Sequence, residues 1–179
     1  MILKNNQLKK GSVYWITGLA GSGKSSVADR FFKKLRAENI SVVHLDGDTI
    51  RKIFSNKGVS VGSRKKQAKR YSELCKLFSD QGLTVVASFV ALFHQIHKWN
   101  RLSIDRYFEI FIDVPLEILQ ERDKKKLYSG VKNKNLKSVV GVNQKAQFPK
   151  NPDLIIHNSG HQKAEDSANI LYDFHLKMK

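Results

Sequence analysis

Residues 18–26 read GLAGSGKSS and directly follow the apolar run VYWITG. The spacing Gly18-(x)4-Gly23-Lys24-Ser25 is that of a phosphate-binding P-loop. Gly18, Gly21 and Gly23 let the chain curve tightly, so that backbone N–H groups from Ala20, Ser22 and their neighbours converge on phosphate oxygens. The positive end of the following helix, at Ser25 and Ser26, adds to this. Lys24 can reach the β- and γ-phosphates of ATP or GTP, and the Ser25 hydroxyl can ligate Mg²⁺. Further on, LDGDTIR brings two carboxylates, Asp46 and Asp48, close to Arg51. A carboxylate at a strand end can orient Mg²⁺ water or accept the proton of an attacking hydroxyl. Arg51 offers a fork for a phosphate or sulfate. Taken alone, DGD also fits a turn with helix-capping aspartates. SFVALF, at 88–93, supplies Ser88 and Phe89 as pocket-lining candidates, with core packing the equal alternative for Phe89 and Phe93.

Such groups need a scaffold. Runs rich in β-branched and aromatic residues recur at 13–18, 41–46, 83–89, 107–114 and 153–158. Their nearly continuous apolar character suggests strands buried on both faces, as in a parallel sheet. The stretches between are long enough for crossover helices. SSVADRFFKKLRAEN sets Val27, Phe31, Phe32 and Leu35 on one face and ends at Asn39. A helix over about 64–81 carries Tyr71, Leu74, Cys75 and Phe78 as a core stripe and stops at Gly82. A last one, from Gln162 to Leu176, repeats the pattern. The expectation is one α/β domain over 1–179: a three-layer α/β/α, nucleotide-kinase-like P-loop fold with a five-stranded parallel sheet. In such sheets ligands bind at the carboxyl ends of the strands, which puts Asp46 and Asp48 in the P-loop's crevice.

Composition narrows the class. The chain has 179 residues and carries 32 Lys plus Arg against 16 Asp plus Glu, a net charge of +16. That balance attracts polyanions. Its denser clusters are RKKQAKR at 64–70 and the basic segment from Lys124 to Gln147, whose length suits a lid that excludes water from a phosphoryl-transfer site. No run approaches a membrane span, and the amino terminus lacks the features of a secretory signal, so a cytoplasmic location is expected. Cys75, the single cysteine, excludes an internal disulfide and a cysteine-based zinc cluster. His44 reads as a packed strand residue, Trp99 as a helix anchor with an acceptor-pocket wall as the alternative, and His94 with His97 lacks a third metal ligand.

GLAGSGKSS, LDGD-x-x-R, Ser63–Arg64, KLFSDQGL, SF-x-x-x-F, FEIFIDVPLEI, RD-x-K-x-LY and NPDL together resemble the adenylylsulfate kinase family, from Gly11 to about Asn158. The resemblance implies transfer of the ATP γ-phosphate, with Mg²⁺, to the ribose 3′-hydroxyl of a nucleotide acceptor, and it suggests a homodimer. By resemblance, residues 18–26 and Arg122 serve ATP, while Ser25 and Asp46 serve the metal, Asp46 alternatively being the base. Asp48, Arg51, Arg64, Ser88, Phe89 and Lys125 meet the acceptor. The family's GFSPxDRxxN reads GVSVGSRKKQ here, so a stacking aromatic becomes Val59, an acid Ser63 and an asparagine Gln67. Its FTGID reads VVGVN, replacing the second aromatic by Val139 and the acid by Asn143. Losing aromatic stacking costs about 1–3 kcal/mol per base. The pattern is similar to a divergent branch, in surface-polysaccharide pathways, acting on cytidine diphosphoramidate; adenylylsulfate is the alternative acceptor. A nucleic-acid-binding P-loop protein or polynucleotide kinase is a further alternative raised by the charge, but no RNA- or DNA-reading motif accompanies it.

Overall fold

The computed structural model describes residues 9–54, 58, 60–122, 139–142, 144–158 and 162–179. Strands β1 (Val13–Thr17), β2 (Val42–Asp46), β3 (Thr84–Phe89), β4 (Tyr107–Asp113) and β5 (Leu154–His157) form one sheet in the order β2-β3-β1-β4-β5. Every pairing is parallel; Ile16 lies opposite both Ser88 and Ile110. Helices α1 (Lys24–Ala37), α2 (Gly47–Ile53), α3 (Val61–Asp80), α4 (His94–Ser103), α5 (Leu116–Arg122) and α6 (Ala164–Met178) make the crossovers and flank the sheet. This is the expected α/β architecture.

Strand alternation divides the core in two. Tyr14, Ile16, Val86, Ile110, Ile112 and Ile156 face α1 and α6, meeting Val27, Phe31, Leu35, Ala168 and Leu171. Val13, Trp15, Val85, Ala87 and Phe89 face α3 and α4, meeting Ala68, Tyr71, Cys75 and Ile96. β1 is buried along its whole length because layers cover both its faces. Each large side chain buried in this way contributes roughly 1.5–3 kcal/mol. Cys75 is one of the buried residues, and burial pushes its thiol far above the usual range, so it carries no chemistry.

Boundaries follow local chemistry. Asn39, with φ 59°, closes the turn after α1, and Gly82, with φ 87°, does so after α3. α3 starts at Val61, earlier than the expected 64, because the Ser60 hydroxyl accepts the Ser63 amide at 3.2 Å. The DGD stretch opens α2 with Asp46 as its cap, so the capping role and the strand-end position hold together.

Candidate active site

The P-loop leaves β1 at Gly18 and enters α1 at Lys24. Gly18, Gly21 and Gly23 have φ of 151°, 80° and 92°. A Cβ on Gly18 would stand 2.5 Å from the Ile112 carbonyl oxygen, so the loop's close approach to β4 needs glycine. Lys24 is buried; its Nζ donates to the Leu19 carbonyl at 2.6 Å and to Ser22 Oγ at 3.3 Å. The ammonium is thus held against the loop that it serves.

Asp46 joins three elements. Its Oδ2 accepts from Ser25 Oγ at 2.6 Å and Ser88 Oγ at 3.1 Å, while its Oδ1 accepts the amides of Asp48 and Thr49. Burial opposes its ionisation, but the bonds from Ser25, Thr49, Ser88 and Asp48 outweigh it and hold the carboxyl below its usual range. The result is an ionised carboxylate touching the P-loop serine, a hard oxygen pair of the kind Mg²⁺ takes. Among the described residues no group of three or more His, Cys, Asp and Glu could hold a metal by itself.

A second cluster lies around α2 and α3. Arg51 Nη2 pairs with Asp48 Oδ1 at 3.2 Å. Burial lowers the pKa of Arg64, and the nearby Arg51 charge lowers it further, so two guanidiniums share one region. Gln67 is buried on the same helix, one turn after Arg64, while Ser88, on the sheet face opposite Phe89, is buried against Asp46. Phe89 is 2% exposed, its ring stacked on Tyr71 at 4.6 Å and tilted against Trp15 at 5.0 Å. It forms the floor under Gly47, where a Cβ would lie 3.2 Å from its ring. Tyr71, read from the sequence as a core position, places its hydroxyl near Arg51 and Asp48; a phenol in an otherwise apolar stripe was the available signal.

The remaining expected site residues belong to other segments of the chain. Val139 is 5% exposed in a short turn where Gly141 N–H donates to the Gln144 carbonyl at 2.8 Å. This turn packs on the P-loop, since a Cβ on Gly141 would come within 2.5 Å of Leu19 Cδ2. A cleft of about 490 Å³ opens between Leu19, Val114, Pro115 and the segment from Gly141 to Phe148. Arg122 donates to Asn158 Oδ1 at 3.2 Å, tying the end of α5 to the chain after β5. Val59, Lys125, Asn143 and most of the basic 124–147 segment lie outside the described residues. His97 is committed to Ala91 and Glu109, and the Trp99 ring takes Lys69 Nζ 3.3 Å from its centre, binding α4 to α3.

A sequence profile of the Adenylylsulphate kinase family matches residues 10–157. The chain belongs to the adenylylsulfate kinase family. It is therefore a kinase, a phosphotransferase acting on a hydroxyl group. A Campylobacter jejuni protein named cytidine diphosphoramidate kinase is 32% identical over 94% of this chain and 96% of its own length. An Enterobacter adenylyl-sulfate kinase is 35% identical over 92% of this chain and 82% of its own. The solved Mycobacterium tuberculosis APS kinase in complex with AMPPNP and APS superposes with a TM-score of 0.86 at 32% identity, covering 93% of this chain and 98% of that one. Among the described residues of this kinase no helix is long and apolar enough to cross a membrane.

Proposed function

We propose that this kinase transfers the γ-phosphate of ATP to the ribose 3′-hydroxyl of cytidine diphosphoramidate, in surface-polysaccharide biosynthesis. The observation that carries the acceptor assignment is the buried aliphatic Val139, at a position where the family pattern has an aromatic able to stack on adenine. The near full-length similarity to the Campylobacter jejuni cytidine diphosphoramidate kinase supports it. Adenylylsulfate is the second reading, favoured by the Enterobacter relative.

The chain's own groups divide the work as follows. Residues 18–26 cradle the ATP phosphates, with Lys24 neutralising charge on the transferring group. Ser25 and Asp46 would hold Mg²⁺, which would supply charge stabilisation to the transferring phosphate. Asp46 accepts four hydrogen bonds and is a weak base, which suits a metal ligand. The base role then falls to Asp48, which orients the acceptor hydroxyl and takes its proton. Arg51 and Arg64 receive the acceptor's anionic groups. Val59, Gln67, Ser88, Phe89 and Lys125 complete the acceptor side, and Arg122 the ATP side.

The test offers cytidine diphosphoramidate and adenylylsulfate separately with ATP and follows ADP release. Faster turnover of the diphosphoramidate is expected. Turnover of adenylylsulfate faster by about tenfold, or 1.4 kcal/mol, would overturn the assignment.

A further inference from the structure

The inner face of α3 carries Arg64, Gln67, Ala68 and Tyr71 at three- and four-residue steps, so their side chains are neighbours. The Tyr71 ring lies flat on Phe89, and its hydroxyl is buried beside the Arg51 guanidinium without the geometry of a full hydrogen bond. One turn earlier Gln67 is 8% exposed, and its Nε2 is buried. Among the described residues neither polar atom has a well-formed hydrogen bond. Buried polar groups in native proteins nearly always find partners, so these two call for a ligand.

Their chemistry says which part of a ligand they suit. Arg51 and Arg64 only donate, which matches oxygens that only accept. A terminal sulfate is satisfied by such donors alone. A terminal phosphoramidate also carries N–H bonds, and these need an acceptor. The Tyr71 hydroxyl and the Gln67 carboxamide can each accept as well as donate. Resting on the acceptor reading above, we propose that Tyr71, aided by Gln67, is the specificity-determining residue that recognises the acceptor's terminal phosphoramidate nitrogen. Its hydroxyl oxygen accepts the N–H while Arg51 and Arg64 take the phosphoryl oxygens.

The experiment compares binding of cytidine diphosphoramidate with that of CDP, the same nucleotide with oxygen in place of the terminal nitrogen. Calorimetric titration of the full chain and of Tyr71→Phe, which keeps the ring on Phe89, gives the two affinities. Tyr71→Phe is expected to weaken the diphosphoramidate about tenfold relative to CDP, as for a buried hydrogen-bonding group left unpaired, and to leave ATP affinity unchanged. Gln67→Leu serves as a second variant, with a change of the same sign expected. Equal weakening of both nucleotides, or no change in either variant, overturns the Tyr71 assignment while leaving the acceptor reading standing. An unaltered enzyme that turns over adenylylsulfate but not the diphosphoramidate overturns both, and the acceptor assay identifies that case.

Discussion

Ser25 Oγ donates to Asp46 Oδ2 across 2.6 Å, linking the first turn of α1 to the end of β2. The same carboxylate caps α2 through the amides of Asp48 and Thr49. One side chain thus fixes the position of the P-loop serine relative to the helix that carries Asp48 and Arg51.

Asp46→Asn separates these duties. Asparagine caps a helix as well as aspartate does, so α2 should persist. The charge that suits the metal is lost, and turnover should fall about 10²–10³-fold, as for removal of a key electrostatic group. ATP affinity, read by titration, should stay within about threefold, or 0.7 kcal/mol. Turnover close to that of the unaltered enzyme would remove Asp46 from the catalytic set.

Acid sensitivity should change in the same variant. The Asp46 pKa is depressed in the fold, so its stability contribution is present above the unfolded value and lost as pH falls through the lower folded value. Thermal denaturation below about pH 4 should therefore show a shallower fall for Asp46→Asn than for the unaltered enzyme.

Gly141→Ala tests the seat of the basic segment. Gly141 has φ 89°, and its added Cβ would come 2.5 Å from Leu19 Cδ2. Strain at such a backbone should cost about 1–2 kcal/mol in chemical denaturation. Because Leu19 also supplies the carbonyl that holds Lys24, KM for ATP should rise as well. Unchanged stability and KM would mean that the turn moves aside freely.

Glu109→Gln probes a buried proton. His97 Nε2 donates to the Ala91 carbonyl at 2.8 Å, so the neutral ring presents its Nδ1 lone pair to Glu109 Oε1 at 3.2 Å. Burial pushes Glu109 up to about 7 and His97 down to about 4, which favours a neutral carboxyl beside a neutral ring. Arg101, Asp153, Tyr107 and His94 are the other charged or titratable neighbours. Glu109's raised pKa contributes stability that is full below its ordinary 4.5 and lost as pH rises through about 7. His97's depressed pKa contributes stability present above its ordinary 6.5 and lost as pH falls through about 4. The two oppose each other between these limits, leaving a fall as pH passes 7. Melting temperature should drop by about 2 °C from pH 6 to pH 8 on this account. In Glu109→Gln the amide donates to Nδ1 at any pH, so that drop should vanish; its persistence would assign the pH dependence elsewhere.

Local chemistry makes much of this protein legible in its sequence. The glycine loop, the strand runs, the apolar stripe of α1 and the ends at Asn39 and Gly82 each depend on residues a few positions apart. Short-range backbone geometry and helical or strand periodicity decide such features. The kinase family is legible for the same reason, since its motifs are contiguous strings.

Tertiary structure decides what distant residues do to one another. Asp46 bonds Ser25 and Ser88 only because β2 pairs with β3 and β3 with β1, a strand order that no local pattern specifies. Phe89 is buried against Trp15 and Tyr71, and that packing also sets its ring under Gly47 at the start of α2, a placement no local pattern specifies. His97 resembles half of a metal site until β4 brings Glu109 against it. Tyr71 looks like any member of an apolar stripe, yet α2 sets Arg51 beside its hydroxyl. In each case the outcome turns on which surfaces burial forces together, and that is a property of the whole chain rather than of any segment.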